Sequence, residues 1–526
     1  MERQLSASPS FHWVDCYGYL KCARFEVPLD YAEAGGAKAS IAVAKLPSKY
    51  SANEAEYRGP IFYNPGGPGG SGLGFIRGAG LLVSTLFGDE YDHIGFDPRG
   101  VGASTPSPTV FLSESERRMW LRLGHDSVNA SAAGLGEVIA KSHVLGDLAV
   151  ARANTTARHV GTADVATDII EMNKALGRDK VMYWGGSYGT VLGITLAAMF
   201  PDKIARLVVD SVAEVNNYYT TQWTDSVANA DDTLDWLFTS CSTSSACALH
   251  EPSPAAVRAR YERIVDNLLR HPVAVVDGAI YGMVDWDMAR GVVFESLYAP
   301  YNSFPKLAQA LADLEAGDGR AMYVLSGRDD STWRCDSPST SDVQPEINTA
   351  ILCGDGDPVL DDHEQLELWQ AELRKSGSWA DMMSVRPACA GWKTQTKNPF
   401  RGPFAGETSH PILLMGNTAD PVCPLWGANK TSKAFPGSAV VAVDAPGHGA
   451  IVAHSLCALK HLRTYMRDGV LPQDSFTLCK TDAPIFPPDV ETEMPLSMSE
   501  DDEQLLELSK ALQRQIQLPK LFDVRP

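Results

Sequence analysis

The sequence predicts an α/β protein: a mostly parallel central sheet flanked by helices, interrupted by a mainly helical insertion. Three observations carry this reading. Short apolar runs alternate with helical patterns over residues 57–215, which is the signature of βαβ units and a parallel sheet. The alternation gives way to helical stripes over 216–405 and resumes after 406. A glycine-flanked serine, Gly185-Gly186-Ser187-Tyr188-Gly189, lies between a strand-like run and an apolar helix. Tight turns of that kind sit at the carboxyl edge of such sheets.

Length and composition set the bounds. The 526 residues allow two to four domains at roughly 100 to 200 residues each, or one large domain with an insertion. Hydrophobic residues at 44% and charged residues at 21% exclude disorder, collagen-like structure and coiled coil for the whole chain. The 65 acidic against 45 basic residues give a net charge of -20. A field of that sign repels phosphate backbones, so neither nucleic acid nor an anionic membrane is expected as a partner. No apolar run reaches the ~18 residues a bilayer span requires.

Taken in order, residues 1–56 are expected to pack as an N-terminal segment on the core. Residues 57–215 form the first half of that core. Gly59-Pro-Ile-Phe-Tyr reads as a buried strand ending in a glycine-rich loop, and His93-Ile-Gly-Phe-Asp as another strand. Val165, Ile169, Met172 and Leu176 recur at helical spacing, and Gly177 suits the end of that helix. Val181-Met-Tyr-Trp is a strand, Thr190–Phe200 an apolar helix stopped by Pro201, and Arg206-Leu-Val-Val-Asp the next strand.

The insertion, 216–405, carries a stripe of Val257, Tyr261, Ile264 and Leu268 ended by Pro272. A second stripe of Leu307, Leu311 and Leu314 is opened by Pro305 and closed by Gly317, and a third helix runs from Asp361 to Leu373. The second half of the core, 406–479, resumes with strands Pro411-Ile-Leu-Leu-Met and Ala439-Val-Val-Ala-Val and a helix near Val452–Met466. In the tail, 480–526, Ser499 caps a last helix with Leu505, Leu508, Leu512 and Ile516 on one face. That face is expected to dock on the body of the protein. The sequence leaves the oligomeric state open.

Ten cysteines include the close pairs Cys16/Cys22 and Cys241/Cys247, with Cys353/Cys389 and Cys457/Cys479 as further candidates. Such pairs fit short disulfide loops in an oxidising compartment, and reduced cysteines filling small core sites fit equally well. With no apolar leader visible after Met1, the expectation is a cytoplasmic protein if Met1 is the native start. It is a secreted one if a leader was removed, with which the cysteine pairs and sequons such as Asn154-Thr-Thr are compatible. No Cys/His spacing suits zinc, so no metal is expected.

The serine of a G-x-S-x-G turn is crowded, so its neighbours must lack bulk. The turn lifts the hydroxyl to a helix N-terminus, where developing negative charge is favoured. A hydroxyl needs a base. In this arrangement the chain order is serine, acid, histidine. Asp420, on the loop after the strand Pro411–Met415, is the expected acid. His448, in Ala445-Pro-Gly-His-Gly after the strand Ala439–Val443, is the expected base. Asp355 and Asp357 fall in the insertion, Asp444 is too close along the chain, and His454 and His461 are assigned to the following helix. Cys423 lacks a tight turn and reads as a buried thiol. The loop Asn64-Pro-Gly-Gly-Pro-Gly-Gly-Ser-Gly72 lacks the lysine of a phosphate loop. It reads instead as one side of an oxyanion hole, with the backbone N–H groups of Gly67 and Tyr188 as donors.

Asn64-Pro-Gly-Gly-Pro-Gly, Gly95-Phe-Asp-Pro-Arg-Gly-Val-Gly-Ala-Ser104, Gly185-Gly-Ser-Tyr-Gly, Asp420-Pro-Val and Pro446-Gly-His-Gly together resemble the α/β hydrolases of the prolyl and tripeptidyl aminopeptidase group, including its TAP-like C-terminal region. The segment Cys16–Tyr31 resembles the start of its secreted members. The resemblance implies the α/β-hydrolase fold with a helical cap, a Ser-His-Asp mechanism through an acyl-enzyme and no cofactor. It also implies cleavage of amide bonds near a free N-terminus, with acidic side chains in or near the cap binding the substrate ammonium. Glu214 is a candidate for that role. Asp97 and Arg99 are expected to brace the loop beside the oxyanion hole. The alternative is hydrolysis of a small-molecule ester, lactone or amide in secondary metabolism. A catalytically dead binding module or a lyase or acyl-transfer chemistry on the same residues stand further off.

Overall fold

The computed structural model describes residues 5–121, 123, 128, 131–278, 280–328, 345–360, 362–487 and 498–515. Ten strands form one sheet: β1 (Val14–Cys16), β2 (Leu20–Pro28), β3 (Lys38–Leu46), β4 (Gly59–Asn64), β5 (Tyr91–Phe96), β6 (Val181–Gly186), β7 (Ile204–Asp210), β10 (Leu413–Ala419), β11 (Ala439–Pro446) and β12 (Phe476–Lys480). β8 (Val273–Asp277) and β9 (Ile280–Val284) form a separate hairpin. The sheet order is β1-β2-β3-β5-β4-β6-β7-β10-β11-β12. From β5 to β12 every pairing is parallel.

The N-terminal segment does more than pack on the core, because it supplies three antiparallel strands of the sheet itself. β3 pairs with β5 from Val43↔Phe96 to Leu46↔His93. β2 and β3 are buried on both faces, with Phe25, Ile41 and Val43 in one apolar cluster and Leu20, Ala42 and Ala44 in the other. Their apolar runs therefore lack the alternation that would have marked them.

The same two clusters divide the molecule into layers. On one face lie the helices Gly72–Phe87, Leu456–Asp468 and Glu500–Gln515; on the other lie Thr162–Ala175 and the elbow helix Tyr188–Met199. Successive side chains of a strand point to opposite faces. Val181 and Tyr183 of β6 accordingly enter one cluster and Met182 and Trp184 the other. The last helix docks on the body as expected, with Ser499 Oγ accepting from Asp502 N–H at 3.2 Å and Leu505, Leu508 and Leu512 buried. Ile516 lies outside the described residues, as do Asp361, Asn129 and Cys335.

Among its described residues the inserted region carries helices and the β8–β9 hairpin. Its helix Pro300–Glu315 starts five residues earlier than the expected opening at Pro305, which sits inside it; Pro300 takes the first-turn position. Helix Gly134–Arg152, from the first half of the chain, packs against this region. A Cβ on its Gly146 would lie on the Gly391 carbonyl. The covering layer is thus built from two stretches of sequence. Among the described residues four disulfides are present: Cys16–Cys22, Cys241–Cys247, Cys353–Cys389 and Cys457–Cys479. Among the described residues no helix is long and apolar enough to cross a membrane.

Candidate active site

The sheet order reverses direction between β5-β4 and β6-β7, and ligand crevices form at the carboxyl ends of strands at such a switch point. β4 ends there in Asn64 and β6 in Gly186. Ser187 follows with φ 56° and ψ -125°, a strained conformation for a residue with a side chain, and opens the elbow helix. Its N–H donates to Asp210 O at 3.0 Å, and its carbonyl accepts from Thr190 N–H at 2.8 Å and from Thr190 Oγ1 at 2.6 Å. A Cβ on Gly189 would lie 2.5 Å from Asn64 O, so the close approach of the two loops demands glycine there.

The structure brings Asp420 and His448 together. Asp420 follows β10 and His448 follows the adjacent strand β11, whose Pro446 pairs with Ala419. His448 Nδ1 lies 3.0 Å from both carboxylate oxygens of Asp420. Asp420 Oδ1 also accepts the N–H groups of Val422 (3.0 Å) and Cys423 (2.9 Å). A carboxylate opposite Nδ1 keeps the proton on that nitrogen and leaves Nε2 as a lone-pair acceptor. Both side chains are fully buried. Among the described residues, neither His448 Nε2 nor Ser187 Oγ has a hydrogen-bond partner.

Five hydrogen bonds aim the histidine loop. Gly447 N–H donates to Ala419 O and His448 N–H to Tyr298 O, both at 2.9 Å. Asn417 Nδ2 donates to Gly447 O at 2.7 Å. Asp210 accepts the N–H groups of Ala450 at 2.7 Å and Ile451 at 3.0 Å. Asp210 therefore ties the serine turn, through its carbonyl, to the histidine loop, through its carboxylate. Burial pushes its carboxyl up to about 6, against the pull of those two N–H groups. Sequence reasoning missed Asp210, Asn417 and Tyr298. The signal for Asp210 was present, since a carboxylate ends an apolar strand at the edge where chemistry sits.

On the opposite side stands the glycine loop. A Cβ on Gly66, whose φ is +104°, would lie 2.5 Å from Gly186 O, 2.8 Å from Ser187 Cβ and 3.1 Å from Tyr188 N. Gly66, one residue before the expected donor Gly67, is thus the point of closest approach to the elbow. Tyr188 N–H, at the first position of its helix, has no carbonyl to bond within that helix. Asp97 braces this side, accepting from Ser71 Oγ (2.6 Å), Leu73 N–H (3.2 Å) and Ala103 N–H (2.8 Å). Arg99 does something else. It pairs with Asp168 at 2.6 Å and donates to the carbonyls of Pro28 and Leu29, locking β2 to the helix Thr162–Ala175.

Glu214 is held by its own helix and a lysine. Its carboxylate caps Val215–Tyr219, accepting from Asn217 N–H at 2.7 Å, and pairs with Lys430 at 3.0 Å. It lines a narrow cleft of about 20 Å³ that also reaches Cys423. An ammonium would have to compete there with Lys430. A larger cavity of about 150 Å³ opens beside the histidine loop, where Tyr298 forms part of its wall. Its wall is mostly apolar, with Trp120, Leu145, Phe294 and Met382, and its charged side chains are Lys141 and Glu295. The Tyr298 ring stands edge-on to the His448 ring, with centroids 5.2 Å apart.

The other candidates have partners of their own. Asp355 accepts from Thr162 N–H and Tyr218 Oη, both at 2.9 Å, Asp357 pairs with Arg401, and Asp444 accepts from Thr418 Oγ1. His454 precedes the helix on which sequence placed it and packs on Tyr301. Burial, with Asp420 and Asp210 nearby, pushes the Cys423 thiol well above its ordinary range, so it is no thiolate nucleophile. Among the described residues two groupings have metal-binding donor types, Asp420/Cys423/His448 and Cys457/His461/Cys479. The first has Nδ1 committed to Asp420, and the second has its cysteines in a disulfide.

The family described as alpha/beta hydrolase fold matches residues 59–381, and the family described as TAP-like protein matches 376–478. A tripeptidyl aminopeptidase of Streptomyces lividans is 25% identical over 498 residues, covering 88% of this chain and 86% of its own. Serine protease Hip1 of Mycobacterium tuberculosis is 25% identical over 472 residues, covering 86% of each chain. Carboxylesterase B of the same organism is 27% identical over 491 residues, covering 89% of this chain and 90% of its own.

Proposed function

The chain belongs to the α/β hydrolase family and is a hydrolase of the serine class, and from that premise we propose that it cleaves amide bonds near a free N-terminus through a Ser187–His448–Asp420 triad. The observation that carries the proposal is the buried Asp420–His448 pair, together with a serine held at φ 56° on the turn that Asp210 ties to the histidine loop.

The chemistry follows from the geometry. Asp420 holds the imidazole with its proton on Nδ1, so Nε2 accepts the Ser187 proton as Oγ attacks the carbonyl carbon. Tyr188 N–H and Gly67 N–H hold the oxygen that becomes negative, the task that needs donors fixed in advance. His448 then delivers the proton to the leaving amine, and water attacks the acyl-enzyme by the same route in reverse. No cofactor enters this scheme. The inserted region, residues 216–405, acts as a cap, with 57–215 and 406–479 as the two halves of the core.

Specificity for an amine is assigned to the cavity beside His448. Glu295 puts a carboxylate on its wall. The names of the aminopeptidase and protease relatives support a peptide substrate. The carboxylesterase relative and the apolar wall support a second reading, hydrolysis of a small ester. Kinetics on tripeptidyl- and aminoacyl-aminomethylcoumarins, free and N-acetylated, against p-nitrophenyl esters decide between them. The peptidase reading requires amide cleavage that disappears when the amine is blocked. Ester hydrolysis without amide cleavage establishes the second reading instead.

A further inference from the structure

The helix Pro345–Asp355 of the inserted region is fastened at both ends by buried carboxylates. At its start, Glu346 accepts from Arg117 Nε at 2.9 Å and from Thr109 Oγ1 at 2.9 Å. At its end, Asp355 takes the N–H and hydroxyl of Thr162 and the hydroxyl of Tyr218. The disulfide Cys353–Cys389 ties the same end to its neighbour. Removing one partner of a buried ion pair strands the other charge away from water, so such ends stay put.

Between these anchors one side chain crosses to the catalytic loop. Asn348, itself buried, donates from Nδ2 to the carbonyl of Pro68 at 2.9 Å. A carbonyl accepts and cannot donate, so the amide orientation is fixed by chemistry. Pro68 belongs to the turn that carries Gly67. Gly66 O accepts from Gly70 N–H at 3.0 Å. The Gly67 N–H lies in the same peptide plane and points the opposite way, to the outside of the turn. Gly66 N–H also donates to Asn64 Oδ1 at 3.0 Å, so two bonds hold the turn from within and Asn348 supplies a third from outside.

The same helix faces the cavity. Pro345, Asn348, Thr349, Leu352 and Cys353 line it, a spacing that places them on a single helical face. We propose that Asn348 is a positioning residue for the oxyanion hole. Held on a helix that is fastened at both ends and also forms the cavity wall, it fixes the Pro68 carbonyl and with it the turn that aims Gly67 N–H at the developing oxyanion. The proposal rests on the serine-hydrolase reading above.

The test uses the full chain, a fluorophosphonate probe and p-nitrophenyl butyrate. Asn348→Ala is expected to lower the labelling rate constant and kcat by about 10- to 100-fold, the range for a misplaced rather than deleted donor. KM should stay within a factor of about three, because ground-state binding does not use the oxyanion hole. An unchanged labelling rate in a folded Asn348→Ala protein overturns the proposal. Asn348→Asp supplies the second arm and decides alone if the alanine variant does not fold. A carboxylate cannot donate to Pro68 O, whereas the protonated acid can. Its activity relative to wild type at the same pH should therefore rise as the pH is lowered, and a ratio that does not change with pH overturns the proposal. Absence of wild-type labelling, or labelling that survives Ser187→Ala, removes the underlying serine reading instead. The two failures are thereby distinguished.

Discussion

Adding one methyl group at Gly66 is the most exacting test of the site's geometry. The Cβ of Gly66→Ala would sit 2.5 Å from Gly186 O and 2.8 Å from Ser187 Cβ, against an ordinary separation of about 3.5 Å. Both neighbours belong to the elbow and cannot swing aside as a flexible side chain would. The backbone at +104° adds strain of about 1–3 kcal/mol for a residue with a Cβ. The overlap adds about 1–3 kcal/mol more if nothing moves. For a chain of this length such a penalty lowers Tm by only about 2–5 °C. The cheaper relief is for the glycine loop to retreat from the elbow by about 1 Å, and a shift of that size costs about 100-fold in rate. Activity is thus expected to fall far more than stability. The assay is kcat/KM on a p-nitrophenyl ester together with the melting temperature. Gly136→Ala is the control: it lies in a helix with nothing within 4 Å of the added carbon. It should leave activity unchanged and stabilise by about 0.5–1 kcal/mol. A fully active Gly66→Ala enzyme would refute the claim that this loop is pressed against the nucleophile's turn.

Three further outcomes are expected. Ser187→Ala or His448→Ala should lower kcat by about 10⁶ and Asp420→Asn by about 10⁴; near-normal turnover in Asp420→Asn would move the acid's role elsewhere, with Asp210 the next variant to assay. Burial raises the Asp355 carboxyl from 3.8 to about 6, so the folded state keeps a proton that the unfolded chain has already lost between those values. Stability from this group is full below about pH 4 and is lost as pH rises through 6, by at most about 3 kcal/mol. Asp355→Asn cannot ionise, so in denaturant titrations its stability relative to wild type should improve from pH 4 to pH 6, and a constant difference would contradict the burial argument. Replacing Cys353 and Cys389 together by serine opens a loop of 36 residues, which should cost about 4 kcal/mol in the chain-entropy account; an unchanged Tm by calorimetry would mean the helix Pro345–Asp355 is held by its carboxylates alone.

The alternation of strand and helix, its interruption and the serine turn were legible because each is a local pattern. Val181–Trp184 and Tyr188–Met199 follow from apolar runs and glycine placement that short-range sterics enforce. The strands β2 and β3 were not legible. Buried on both faces, they show no period-two alternation, and their partners are set by a β3–β5 pairing that no local rule encodes. Pro305 misled because a proline's usual place is the first helical turn, while Pro300 already occupied it.

The site divides in the same way. Sequence by itself determined which side chains are chemically suited to the work, since Ser187, Asp420 and His448 each stand just after a strand in a turn whose glycines mark a close approach. Only the tertiary structure decided how they are held. Asp210 joins the serine turn to the histidine loop across 240 residues of chain, Tyr298 reaches that loop from the inserted region, and Glu214 pairs with Lys430. The physical reason is range. A turn's backbone strain depends on a few neighbouring residues, whereas a hydrogen bond or ion pair depends on whatever the fold carries to within about 3 Å, and that is settled only when the layers pack.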